Sequence, residues 1–177
     1  MKKALVFCAA ILFLLGSTAV AAELKVGAKA SDFNFKDSKG KAYSLNSPEL
    51  AGKVVSFFYA DPGSKDMNNE AQAALKAAPG IERNTKYKGL GVVNLKASML
   101  PDFLLKKAIA SKQKEAPDAI ILMDPDYSML NAWGLTNKVS NVIVLDKQRI
   151  CRYIYKGKLP KAEIDKLINV IREYQNK

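Results

Sequence analysis

Histidine is absent from all 177 residues, and only two cysteines and one tryptophan are present. Without an imidazole the chain lacks the ordinary general base near neutral pH, the Ser-His and Cys-His nucleophile pairs, and the commonest metal ligand. Cysteine is scarcer than its count suggests. Cys8 lies in an apolar leader, and only Cys151 remains beyond it, so no intramolecular disulfide can form once the leader is removed. Metal-dependent and thiol-exchange chemistry both lose their usual residues, and neither a metal nor a cofactor is expected.

Long hydrophobic runs are also missing. The longest, Ala4 to Leu15, falls well short of the ~20 residues that span a bilayer. It is preceded by Lys2 and Lys3 and followed by the small-residue stretch Ala19-Val20-Ala21-Ala22, the order of a cleavable secretory signal. The expectation is a signal peptide over residues 1–22, a single domain over 23–177 with no transmembrane segment, and a periplasmic location.

Acidic residues are few, 17 against 28 Lys plus Arg, and loss of Lys2 and Lys3 with the leader takes the formal net charge from +11 to +9. Such a chain is drawn to anionic surfaces. The basic residues are scattered, with no run denser than Lys106-Lys107 and the looser Lys112 and Lys114, and aromatics do not alternate with them. Nucleic acid is therefore not an expected partner. An envelope protein or an anionic surface is.

What is present is a regular alternation. Asp32 to Phe35 and Ala42 to Leu45, joined by the turn-rich 36–41, read as a hairpin. Lys53 to Tyr59 is a β-branched and aromatic run that reads as a buried strand, followed by the loop Asp61-Pro62-Gly63 and a helix capped by Ser64 that stops at Pro79-Gly80. A second strand is predicted over 89–95 and a helix over 101–114 bearing Phe103, Leu104, Ala108 and Ile109. A third strand over 119–123, a short helix from Tyr127 to Trp133, and a fourth strand over 141–145 follow. The turn 146–149 leads into a hairpin partner over 150–155, and a helix from Pro160 to about Gln175 closes the chain with Ile164, Leu167, Ile168 and Ile171 on one face. Strands alternating with helices imply a mixed central sheet, covered by helices on both faces.

That order, with the strings Val26 to Phe33, Leu50-Ala51-Gly52-Lys53-Val54-Val55, Asp124-Pro125-Asp126 and Val144-Leu145-Asp146-Lys147, resembles the thioredoxin-like superfamily in its peroxiredoxin and exported-reductase forms. The likeness covers nearly all of the chain beyond the leader. Leu130-Asn131-Ala132-Trp133-Gly134-Leu135 with Val142 to Lys147 is most similar to the YtfJ-type bacterial periplasmic proteins, a group of unestablished activity. The resemblance implies an α/β thioredoxin-like fold, with the N-terminal hairpin as an extension. It also implies an active-site loop after the first core strand, where the superfamily's reductases carry Cys-x-x-Cys at a helix N-terminus that stabilises the thiolate.

Here that loop is Asp61-Pro62-Gly63-Ser64-Lys65-Asp66-Met67, and it has no thiol. The superfamily's cis-proline falls at Ser140. The loop and Ser140 are thus the candidate site, expected to bind a partner rather than to catalyse. Cys151, between Ile150 and Arg152 in the last hairpin, is the one candidate reactive thiol. It is expected to be buried, yet Arg152 would lower its pKa if both were exposed. The acids Asp61, Asp66, Glu70, Asp124 and Asp126 fit no metal-binding loop and read as turn and helix caps. Two functions are consistent with these residues: a non-catalytic envelope binding or assembly protein, and a thiol-disulfide oxidoreductase or peroxiredoxin-like protein working through Cys151 or a partner.

Overall fold

Two largely apolar runs, Val54–Ala60 and Asn141–Leu145, lie side by side in one seven-stranded sheet. The computed structural model describes residues 23–115 and 118–177, so the expected leader, Cys8 included, lies outside the described residues. Two short strands come first, β1 (Phe35–Asp37) and β2 (Ala42–Tyr43), then β3 (Val54–Ala60), α1 (Asn69–Ala77), β4 (Tyr87–Asn94) and α2 (Asp102–Glu115). β5 (Ile120–Asp124), α3 (Ser128–Ala132), β6 (Asn141–Leu145), β7 (Cys151–Lys156) and α4 (Lys161–Gln175) complete the domain. The strand order is β2-β1-β5-β4-β3-β6-β7. β3, β4 and β5 are parallel, and β6, β7 and the N-terminal hairpin pair antiparallel at the flanks.

The runs lack polar alternation because both faces of these strands are covered, and Ser56, the polar exception within β3, is buried and bonded to the Tyr87 hydroxyl at 2.7 Å. Val55, Phe57, Tyr59, Leu90, Val92, Leu122, Ile143 and Leu145 pack on one side against Phe33, Phe35, Met129 of α3 and Trp133. Val54, Val142, Val144 and Tyr153 pack on the other against Ala71 and Leu75 of α1 and Ile164, Leu167 and Ile171 of α4. A smaller cluster holds α2 to the same side through Leu105 and Ile109, beside Leu95, Val93, Ile121 and Met123. Each fully buried aliphatic or aromatic side chain contributes roughly 1.5–3 kcal/mol, so β3 and β6 carry much of the domain's stability.

Three expectations are corrected. The hairpin strands are β1 and β2, three residues later at the start than Asp32 and two residues short of Leu45 at the end, because the Asp32 carboxylate takes the Phe33 and Leu45 amides at 2.8 and 2.7 Å; the Asp37 carboxylate closes the turn between them, accepting from the Lys39 and Lys41 amides at 2.9 and 3.0 Å. Ser64 does not cap α1. The segment 61–68 runs on in turns, and the helix begins only at Asn69, because the Ser64 hydroxyl is held by the Asp61 carboxylate at 2.8 Å. On α2 the inward residues are Leu105, Ile109 and Gln113, whereas Phe103, Leu104 and Ala108 face outward.

The end of the molecule opposite the candidate loop is locked by Arg149. Its guanidinium donates to three backbone carbonyls, Leu45 at 3.1 Å, Lys53 at 3.0 Å and Leu50 at 2.8 Å. A three-carbonyl grip of this kind needs the planar, forked geometry of guanidinium, which lysine does not have.

Candidate functional site

Parallel strands send their following loops to one end of a sheet. β3 and β4 run in register from Val54↔Tyr87 to Ala60↔Val93, so the 61–68 loop and the 95–101 segment leave side by side. β5 ends there too, with Asn94 paired to Asp124. β6 starts there, since Asn141 pairs with Tyr59, which sets Ser140 beside the loop. The fold therefore sets the loop and Ser140 at the same end of the sheet.

The loop is built around Asp61. Its buried carboxylate accepts from the Gly63 amide at 2.7 Å, the Ser64 amide at 3.1 Å and the Ser64 hydroxyl at 2.8 Å. These bonds explain why Asp61 and Ser64 are buried despite being polar. Among the described residues no group of three or more acids or cysteines converges as a metal site would require. Pro62 and Met67 are half-buried, and Gly63, Lys65 and Asp66 form the exposed crest. Lys65 and Asp66 are ion-paired, and that hydrogen bond holds the Asp66 carboxyl below its usual range.

Below the crest lies a set of polar contacts that no sequence motif announced. The Asn68 side chain donates to the Gly157 carbonyl at 2.9 Å and accepts from the Leu159 amide at 2.9 Å, and the Gly157 amide donates to the Ser140 carbonyl at 2.8 Å. One asparagine thus staples the loop to the end of β7 and, through Gly157, to Ser140. The fully buried Asp124 accepts from the Tyr59 hydroxyl at 3.0 Å, the Ser128 amide at 3.0 Å, the Ser128 hydroxyl at 3.2 Å and the Met129 amide at 3.1 Å. It is a turn and helix cap, with Asp126 joining it on the Ser128 amide at 3.2 Å. Burial, reinforced by the Asp124 carboxylate, pushes the Tyr59 phenol well above its ordinary value, so it acts as a fixed hydrogen-bond donor. The available hint in the sequence was positional: Asn68, Asn94 and Asp124 stand where strands or loops end, and a buried polar residue there needs partners.

Cys151 belongs to the other end. It pairs with Leu145, which pairs with Val55, six residues before Asp61, or roughly 20 Å along the strand at ~3.3 Å per residue. Its side chain is 0% exposed, and its thiol lies 3.4 Å from the Tyr153 carbonyl. Burial pushes the Cys151 pKa up to about 11, outweighing Arg152, whose guanidinium is engaged by Asp146 at 2.7 Å. A rise from 9.0 to about 11 lowers the thiolate fraction at neutral pH by roughly 100-fold before access is considered. Ellman's reagent should therefore label the native protein roughly 100-fold or more slowly than the protein in concentrated guanidinium. Equal rates would mean that the last hairpin opens readily.

Against known proteins, the model of a family described as "Bacterial protein of unknown function (YtfJ_HI0045)" matches residues 17–174. An uncharacterized protein of Haemophilus influenzae is 30% identical over 128 residues, covering 71% of this chain and 68% of that protein. Among solved structures, the exposed lipoprotein thioredoxin Etrx1 of Streptococcus pneumoniae superposes with a TM-score of 0.56 at 18% identity, covering 78% of this chain and 98% of that one. BsSco, a member of the Sco family of cytochrome c oxidase assembly proteins, superposes with a TM-score of 0.60 at 16% identity, covering 88% and 100%. At such identities the likeness shows a shared thioredoxin-like fold, in agreement with the strand order and mixed sheet above.

Proposed function

The chain belongs to the YtfJ_HI0045 family, and on that premise we propose that it is an exported, periplasmic binding or assembly protein that uses a thioredoxin-like scaffold without thioredoxin chemistry. The observation that carries this reading is the separation of thiol from site. The loop after β3 has no cysteine, and Cys151, the one free cysteine among the described residues, is buried at the opposite end of the sheet. A reductase working through Cys151 would need its partner's disulfide to reach a sulfur with no exposed surface and little thiolate.

The loop's construction supports binding. Asp61, Ser64 and Asn68 are buried and bonded, so the crest of Gly63, Lys65 and Asp66 is held in one shape before any partner arrives. Preorganisation of this kind lowers the ordering cost of association. Export is supported by the leader pattern over 1–22, and the partner is then an envelope protein.

A photo-crosslinking residue in place of Lys65, tested in living cells, measures this directly. The expected result is one or a few discrete envelope-protein adducts that are missing when the same residue replaces Gln148, which is exposed in the turn at the other end. Identical adduct patterns from the two positions would overturn the binding reading.

A further inference from the structure

We propose that the segment from Met99 to Leu104, with the lysines of α2, docks this protein on an anionic phospholipid surface. Among the described residues the exposed large apolar side chains are Val26, Met99, Leu100, Phe103 and Leu104, so four of the five fall within six consecutive positions. Met99 is 102% exposed and Phe103 68%, which makes this cluster a protruding tip. The opposite face of α2 is occupied, because Leu105 and Ile109 are packed in the cluster with Leu95, and the helix cannot roll to bury the tip without exposing them. An apolar cluster left outside the core in this way marks a surface that meets something.

Charge selects what it meets. Lys96, Lys106 and Lys107 are exposed beside the tip and Lys114 further along the same helix, with Asp102 the acid within the tip itself; Lys112, in the last turn, is paired with Glu115 at 2.9 Å and lies near Asp66. Phosphate headgroups above acyl chains complement both features at once: the apolar tip enters the headgroup and acyl boundary, while the lysine stems lie along it and keep their ammonium groups on the phosphates. The tip follows β4 and the 61–67 loop follows the neighbouring parallel β3, so a chain docked this way holds its candidate partner loop close to the membrane surface. The docking surface is separate from that loop, and either proposal can fail alone.

The test is co-sedimentation of the protein, purified in its processed form, with vesicles of phosphatidylglycerol and phosphatidylcholine. Binding should occur with mixed vesicles, weaken as salt is raised and vanish with pure phosphatidylcholine. Lys106→Gln with Lys107→Gln should lower the partition constant roughly 30-fold, about what two lysines near an anionic surface are worth. Phe103→Ser with Leu104→Ser should lower it at least as far. All four positions are exposed, so far-ultraviolet circular dichroism should stay unchanged, and Lys65→Ser with Asp66→Ser, exposed on the loop crest and neutral in net charge, should bind vesicles as the parent does. Three results would each overturn the proposal: no binding to the mixed vesicles, equal binding to pure phosphatidylcholine, or variants that bind like the parent. It would also be overturned by a dimer in light scattering that the serine variant abolishes, together with loss of vesicle binding by the dimer, since the tip would then belong to a second copy.

Discussion

Asp124→Ala is expected to destabilise the domain by about 3–5 kcal/mol, read as a fall in the urea midpoint with an unchanged slope. The side chain is 0% exposed and satisfies five donors, the Tyr59 and Ser128 hydroxyls and the Asp126, Ser128 and Met129 amides. Truncation strands several of them at a buried place, at about 1–3 kcal/mol for each donor that water cannot reach. Asp124→Asn keeps the volume but turns an amide NH2 toward groups that themselves donate, so it should fall between alanine and the parent. A loss below about 1 kcal/mol for alanine would mean that water replaces the carboxylate and that the cap does not fix α3.

The second large effect is on the same face of the sheet, within the core layer that holds Tyr59 and Met129. Trp133→Ala should cost about 3–5 kcal/mol, the usual range for emptying a large aromatic site. The ring is 1% exposed, sits edge-on to Phe57 at 5.2 Å and to Phe33 at 6.4 Å, and its indole donates to the Ser31 carbonyl at 3.1 Å. Phenylalanine would restore part of the packing while leaving Ser31 without its donor, so its cost should be intermediate. Because the Leu24 amide bonds the Trp133 carbonyl at 3.1 Å, hydrogen exchange at Leu24 should accelerate in the alanine variant more than exchange in α4 does. Equal acceleration everywhere would mean the loss is global and not centred on the N-terminal segment.

The strands were legible because burial on both faces leaves a plain mark. Val54 to Ala60 and Asn141 to Leu145 read as strands from composition alone, and the expected bounds differ from the observed ones by a residue or less. Where one side chain redirected the backbone, the pattern misled. Ser64 looks like a helix cap, but a hydroxyl has one best acceptor, and Asp61 three residues earlier took it, delaying the helix to Asn69. Phe103 and Leu104 look like core for the same reason that any apolar residue does. Composition ranks residues by their cost in water and says nothing of whether that cost was accepted for contact with something else. The candidate loop and its meeting with Ser140 were readable from the resemblance, whereas the distance from the loop to Cys151 follows from strand register, which no local string encodes. Asn68 was missed because its partners, Gly157 and Leu159, lie about 90 residues away.

The Arg149 grip also bears on the order in which this chain can acquire its shape. Its three carbonyl acceptors lie 96 to 104 residues earlier, and the amides of Gly27 and Ala30 likewise bond the Cys151 and Arg149 carbonyls, at 2.8 and 2.9 Å. Closing loops of that length is entropically costly and slow, so the first strands and the segment around Leu50 cannot settle until the last hairpin has been made. A ribosome must therefore release about 150 residues before this end of the sheet can close, so the first part of the chain to be made is among the last to be fixed in place.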